Sequence, residues 1–429
     1  DSLNVAIGHG VAASVTTGTS NTLVGGLAGD ALTDADFNTA IGSSALSSDT
    51  LGSRSIAIGS DALAAQNFTT ATSAHNIAIG VNAGKSVTTG TENTFVGSNC
   101  GDGTDDGREN TAVGSHALSA NCGNANTAMG RYALNVATGA SNTAIGHQSG
   151  LAVTSGIENT FVGKNAGVGT DDGNENVAVG KSALSANCAD GNTAVGKDAG
   201  ELITGANNSV MGKSAGKAIT SGSLNIVIGK DAGASGDNGA ALETGNNNVI
   251  VGPECRPHQA NGSNQIILGH NIAAPDNGHF AFGQNGNVVS NQFTSNASFS
   301  RSSDERLKKN IADDTLGLSF INDLRTVTYK WKASHELDSS DSELSHLYKE
   351  DPEDNLMDTD VIMHGLIAQE VKTALDSAGV STFGGWSEDN TKVQQISREM
   401  FVIPLVKAVQ ELSAQVTALQ AEVNTLKGG

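Results

Sequence analysis

Asn142-Thr143-Ala144-Ile145-Gly146 is one copy of a phrase that recurs from the first residues to Gly269. Its relatives close on sixteen glycines, among them Gly8, Gly42, Gly97, Gly196 and Gly269. Nearly all steps between them, such as Gly25 to Gly42 and Gly130 to Gly146, span about 16–17 residues, and so regular a period marks a stacked array in which each unit touches only its neighbours. Within a phrase the order is Asn, then Thr or Val, a small or apolar residue, a β-branched residue and Gly. Thr94-Phe95-Val96 and Ile226-Val227-Ile228 predict short strands. The closing Gly permits a bend that a Cβ would hinder. A second short phrase follows, as in Ala117-Leu118, Ala133-Leu134 and Ala199-Gly200, and then a loop rich in Gly, Asn, Asp and Ser. One coil is therefore expected to hold two short strands and two turns, with apolar residues inward and asparagines stacked in a hydrogen-bonded ladder. The expected fold over residues 1–269 is an all-β rod, a parallel β-solenoid or β-roll. Sixteen coils at ~4.8 Å each would extend about 75 Å.

A longer period is superposed. Asn93, Asn159 and Asn225 are evenly spaced, four coils apart, so the array reads as duplicated four-coil blocks.

Composition agrees with a thin stack. The chain of 429 residues has 53 Gly, 5 Pro and 4% aromatic residues, too few large side chains for one broad core. Three or four small apolar residues per coil bury little alone, which implies lateral association; a trimer is the natural closed form for parallel rods of one sequence. The net charge of −21 divides into about −11 over residues 1–303 and −10 over 304–429, and no basic patch is expected in either half. That excludes nucleic acid and an anionic membrane as expected partners. A membrane-spanning helix needs an apolar run of roughly 18 residues or more, and none is present, so no membrane insertion is expected. The chain opens at Asp1 with neither Met nor a signal-peptide pattern, which reads as a processed or trimmed product.

Candidate metal chemistry is thin. Asp102, Asp105, Asp106 and Glu109 cluster in one loop, and Asp171, Asp172 and Glu175 repeat them one block later. Calcium takes such oxygen-rich loops. The spacing is not that of an EF-hand, so the loops read as solvated turns, with calcium near Asp105 and Asp171 the lesser alternative and no other cofactor expected. His9, His75, His116 and His147 are scattered singly and read as surface residues. Cys100, Cys122, Cys188 and Cys255 form no CxxC pair, which argues against zinc. Cys122 and Cys188, in matching Ser-Ala-Asn-Cys phrases, would lie about 19 Å apart at ~4.8 Å per coil, too far for a disulfide, so free thiols are expected.

From 270 to 303 the phrase disappears and aromatic density rises, with His279-Phe280-Ala281-Phe282-Gly283, Asn287-Val288-Val289, Phe293 and Phe299. This reads as a neck that caps the last coil, ending in an exposed Ser/Asn-rich segment, Ser295 to Ser303. Beyond it, 318–332 predicts a short helix and then an alternating strand. Residues 336–360 carry ten acidic side chains and one base, Lys349, and read as an exposed inserted loop. His364 is expected to open a helix running to about Ser377. Over 396–429, Val402, Val409, Val416 and Val423 alternate with Leu405, Leu412, Leu419 and Leu426, a heptad seam held over four repeats. Pro404 lies near its start, where proline is tolerated. Val at one core position with Leu at the other leans towards two strands, whereas the rod implies three. Three are favoured because rod and seam must share one symmetry.

Two resemblances arise from these residues. The Asn-Thr-Ala-Ile-Gly phrase resembles the head repeats of trimeric autotransporter adhesins, which form a trimeric β-roll; this covers the array, somewhat more than half of the chain. Ser303-Asp304-Glu305-Arg306-Leu307-Lys308-Lys309-Asn310-Ile311, then Val327-Thr328-Tyr329-Lys330-Trp331, then His364 to Val371, then a terminal coiled coil, closely resemble the intramolecular chaperone autoprocessing domain that ends phage endosialidases and tail fibres and the myelin regulatory factor. That resemblance implies an α+β chaperone core at 304–395 followed by the coiled coil at 396–429. It further implies a serine peptidase that acts once, on its own chain, with no turnover on an external substrate.

By that resemblance Ser303 matches the nucleophile and Lys308 its partner base, while His364 and Glu370 match positions that support the cut. The family cut falls between Ser303 and Asp304. Because Ser303 Oγ attacking its own carbonyl would close a strained four-membered ring, the cut is expected within the Ser302–Asp304 window. Without the other motifs, a Ser-Asp helix cap with Arg306 and Lys308 on the surface would suffice. The whole reads as a trimeric viral fibre, a tail fibre or similar appendage of the virion tail outside the cell, binding a host-surface glycan or protein receptor. The alternative is a cell-surface trimeric adhesin carrying the same chaperone. A glycan-degrading tailspike is disfavoured, because the array lacks the paired carboxylates that sugar hydrolysis needs.

Overall fold

The computed structural model describes residues 3–234, 239–285, 287–292, 300–301, 303–341, 344–345, 347–354, 359–389 and 392–428. The chain forms two units, Asp1–Ser302 and Ser303–Gly429, each considered by itself.

In the first unit each of the sixteen phrases is one strand, from Val5–Ile7 to Ile266–His270, and successive strands pair parallel and in register. Thr143, Ala144 and Ile145 stand opposite Thr160, Phe161 and Val162 of the following coil. The expectation of two strands per coil is corrected: the second phrase is a turn. Its Ala is buried, and the residue after that Ala takes a left-handed backbone, φ 47° at both Leu134 and Leu184, 59° at Gly167 and 56° at Gly200. A left-handed residue leaves the extended conformation of a strand, although its N–H still reaches the next coil, as Leu134 N–H does to the Ser149 carbonyl at 3.0 Å. An additional pairing, Gly52–Ser53 parallel to Thr72–Ser73, reaches into the longer coil between Gly59 and Gly80.

Leu and Gly interchange at this turn for a packing reason. Where the turn holds Leu, as at Leu118, Leu134 and Leu184, the middle strand residue nearby is Ala. Where the strand supplies Phe161, a Cβ on Gly167 would lie 2.5 Å from its ring. Coils of different sequence thus fill the same interior volume, as close packing demands.

The middle residue of each coil strand points inward, so Ala144 and Phe161 are fully buried, whereas the flanking residues point outward. The closing Gly146 has φ +137°, and a Cβ there would sit 2.5 Å from the Gly163 carbonyl oxygen of the next coil. The asparagines ladder as expected. Asn142 N–H donates to Asn126 Oδ1 at 3.0 Å, Asn159 N–H donates to Asn142 Oδ1 at 3.0 Å, and Asn142 Nδ2 reaches the Gly156 carbonyl at 2.8 Å. A buried amide column left unpaired would be costly, and here almost every rung is answered by the next.

One rung is Ser55. Its side chain cannot span to the following coil, and Gln66 fills the gap: Gln66 Nε2 donates to Ser55 Oγ at 3.0 Å and to Asp49 Oδ2 at 2.6 Å, while Gln66 Oε1 accepts from Asn76 Nδ2 at 2.9 Å. Asp49 is fully buried, and desolvation pushes its carboxyl above the usual 3.8, partly offset by the hydrogen bonds it accepts from Gln66, Phe68 and Gly52. The four cysteines are buried free thiols, and burial raises Cys100 to about 12 and Cys122 to about 11.

The sheet runs on past Gly269. His279–Gln284 adds one more parallel strand beside Ile266–His270, and Asn287–Gln292 then returns antiparallel to it. The reversal ends parallel growth. Phe293, Phe299 and residues 295–299 and 302 lie outside the described residues.

The second unit is small and mixed. α1 (Leu318–Asn322), α2 (Ala368–Ser377) and the start of α3 (Val402–Gly428) enclose a core of Leu316, Phe320, Val371, Ala374, Leu375 and Phe401. Val327–Tyr329 pairs antiparallel with Met363–Gly365. His364 therefore lies on a strand, not at a helix start; the helix begins at Ala368 and ends, as expected, at Ser377. Glu411 of α3 accepts the Leu318 N–H at 2.7 Å, supplying the N-terminal acceptor that α1 lacks in its own sequence. The described parts of 336–360 are short turns with mostly exposed acids; residues 342, 343, 346 and 355–358 lie outside the described residues.

Candidate functional site

Ser303 and Lys308 meet because the chain between them turns. Asp304 (φ −64°) caps a 3-10 turn, Glu305–Leu307, by accepting the Arg306 N–H at 2.9 Å. The turn folds residue 308 back, and Lys308 Nζ donates to Ser303 Oγ at 2.8 Å. Arg306 grips Asp304 through Nη2–Oδ2 at 2.6 Å and Nε–Oδ1 at 3.0 Å, and this guanidinium holds the Asp304 carboxyl below its ordinary value. The cap is thus Asp304, and the Ser303 hydroxyl is left for Lys308.

All of these groups are solvent-exposed in the single chain. A lysine acts as a base only when burial or neighbouring positive charge favours its neutral form. One chain supplies the geometry of a Ser-Lys pair but not its desolvation.

His364 and Glu370 stand apart from this pair; among the described residues, neither shares a hydrogen bond with Ser303 or Lys308. His364 faces Thr328 across the two-stranded pairing. It lines a cleft of about 670 Å³ with Ile321, Leu324, Arg398, Phe401 and Leu405. Glu370, in the first turn of α2, is clasped by Arg325, whose Nε lies 3.1 Å from Oε2 and whose Nη2 bonds Oε1. Arg325 holds the Glu370 carboxyl below its ordinary value. Sequence reasoning does not single out Arg325, Arg398 or Glu411. Their contacts join positions far apart in the chain, and no local spacing marks them.

Asp105 and Asp171 accept hydrogen bonds from Thr88 and Thr154, one coil earlier in each case. Among the described residues no three His, Cys, Asp or Glu side chains converge as a metal site. No described helix is long and apolar enough to cross a membrane.

Residues 303–380 match the family model described as chaperone of endosialidase, and the match begins at the serine that Lys308 contacts. No curated protein and no solved structure matches the chain. A parallel β-solenoid rod followed by a chaperone-of-endosialidase segment and a long terminal helix fits a tailspike or tail fibre with a C-terminal chaperone domain.

Proposed function

We propose that the protein is a trimeric virion fibre for host attachment, assembled by its C-terminal unit, which then severs itself from the rod. The observation that carries this reading is the Lys308–Ser303 hydrogen bond of 2.8 Å at the first residue of the chaperone-family segment. Two further features support three-chain assembly. The α3 seam is bare in one chain, with Leu412 48% and Val416 45% exposed. The third residue of the coil strands forms an outward apolar column that includes Ile41, Ile79, Val113, Met129 and Ile145. Seams of this kind are buried by copies of themselves.

A stack of near-identical coils can pair one repeat out of step at little cost, and parallel non-local pairing nucleates slowly. A terminal clamp that first aligns three chains removes both problems. On assembly Lys308 becomes desolvated and loses its proton to solvent. It then takes the Ser303 hydroxyl proton as Oγ attacks a carbonyl in the Ser302–Asp304 window. The C–N bond breaks, Lys308 returns the proton to the departing amine, and water hydrolyses the ester. Loss of the clamp makes the assembled rod kinetically persistent.

Intact-mass measurement of assembled protein tests this directly. Wild type should yield two fragments that sum to the full chain plus one water, and Ser303→Ala one full-length species. An uncut full-length chain for both, or a monomer by light scattering, would refute the proposal.

A further inference from the structure

The rod carries a column of cations that is scattered in the sequence. In seven successive coils the residue after the closing glycine is basic or His: Arg131, Lys164, Lys181, Lys197, Lys213 and Lys230, with His147 as the second rung. All are exposed. Their backbones stack in register: Ser182 N–H donates to the Lys164 carbonyl at 3.0 Å, Asp198 N–H to that of Lys181 at 2.9 Å, Ser214 N–H to that of Lys197 at 2.9 Å, and Asp231 N–H to that of Lys213 at 2.9 Å. Six of the twelve Lys and Arg in residues 1–303 stand in this one column, although that segment is net negative. The sequence expectation of no basic patch is therefore corrected: residues one period apart in the chain are neighbours in the stack.

At ~4.8 Å per coil the column runs about 29 Å. Adjacent rungs lie well within the ~8 Å screening length of physiological salt, so they repel one another and do not help the fold. Earlier coils place Ser43, Ser60, Ser98 and Ser115 at this position, so the stack does not require a cation there. Partial neutralisation is local: Lys197 pairs with Asp198 at 2.6 Å, and Lys230 with Asp231 at 3.1 Å and Glu254 at 3.8 Å. Lys164, Lys181 and Lys213 have no ion pair among the described residues.

No glutamate series of the rod itself matches the column coil for coil. The acids just before the ladder asparagines, Glu92, Glu109, Glu158 and Glu175, share a coil with only two basic rungs, and the coils of Lys197, Lys213 and Lys230 present Gly191, Asn207 and Leu224 there. We propose that this column binds a linear acidic polysaccharide, sulfated or carboxylated, laid along the stack. A straight row of ammonium point charges suits a flexible polyanion. Duplex DNA is a poorer fit, because its phosphates wind away from a straight line and present one charge per ~1.7 Å of axis.

The inference deepens the attachment reading by assigning the receptor class and a face of the rod. Its test is independent of cleavage and of oligomer mass. Full-length wild type is passed over immobilised heparin, hyaluronan, neutral dextran and duplex DNA at rising salt. It should be retained on both acidic polysaccharides, not on dextran, and more weakly on DNA, with retention falling as salt rises. Lys164→Gln/Lys181→Gln/Lys213→Gln should lose about tenfold in affinity, a sum over three exposed charges, and the matching triple Arg variant should keep it. Preference for one acidic polymer would identify sulfate or carboxylate as the recognised group. The proposal falls if wild type binds neither acidic polysaccharide, if the Gln variant with an unchanged melting curve binds like wild type, or if DNA binds as tightly as the polysaccharides.

Discussion

The two units solve the problem of a scarce core in opposite ways. The rod closes its interior within one chain: after the first coil, each coil buries its middle strand residue and its turn residue, and the polar ladder beside them is hydrogen-bonded from coil to coil. The C-terminal unit closes only a handful of side chains around Phe320 and Phe401 and leaves a 27-residue helix with its apolar seam exposed. Repetition lets a chain with few large residues be self-sufficient inside each coil. It leaves nothing to distinguish one coil from the next. The unit with the least private core has the most specific surface, which is what a registering device requires.

Four changes would break or sharpen this contrast. The largest effect is expected at the seam. Leu412→Asn with Leu419→Asn should abolish trimer formation, seen as monomer by light scattering, because two polar residues replace core positions in every strand of the coiled coil. Next is Phe161→Ala in the rod. Loss of the largest side chain in its coil should cost about 3–5 kcal/mol, read as faster amide exchange in that coil and its neighbours and not across the whole rod.

Gly146→Ala should cost about 1–3 kcal/mol in backbone strain alone, and its methyl would meet the Gly163 carbonyl; a lowered melting temperature checks it. The smallest is Asp49. Its folded value is raised, so its contribution is fully present below the usual 3.8 and is lost as pH rises through the raised value. The rod's melting temperature should therefore gain from this group on acidification from neutral pH. Asp49→Ala should remove that component, and an unchanged pH slope in the variant would count against the assignment.

Several elements are legible in the chain alone. The in-register parallel stack follows from the spacing of the Asn-Thr-Ala-Ile-Gly phrase, and the asparagine ladder from the Asn that recurs at its first position. The second phrase of each coil recurs with the first and so reads as a second strand; only the left-handed backbone at Leu134 reveals a turn. His364 suggests a helix because the apolar run after it is helical, and the pairing partner that makes it a strand lies at Thr328. The gap at Ser55 is invisible to local reading, since its repair comes from Gln66 in a longer loop.

By itself the sequence determined what depends on period: coil number, register, the inward and outward alternation and the heptad seam. Tertiary structure alone decided what depends on proximity between distant residues. Arg325 clasps Glu370, Glu411 caps α1, and Gln66 fills the gap at Ser55. The physical reason is common to all three. Local backbone geometry is set by neighbours in the chain, whereas electrostatic potential and hydrogen-bond partnership are set by distance in space, which a solenoid compresses from a full repeat of chain to a single coil spacing.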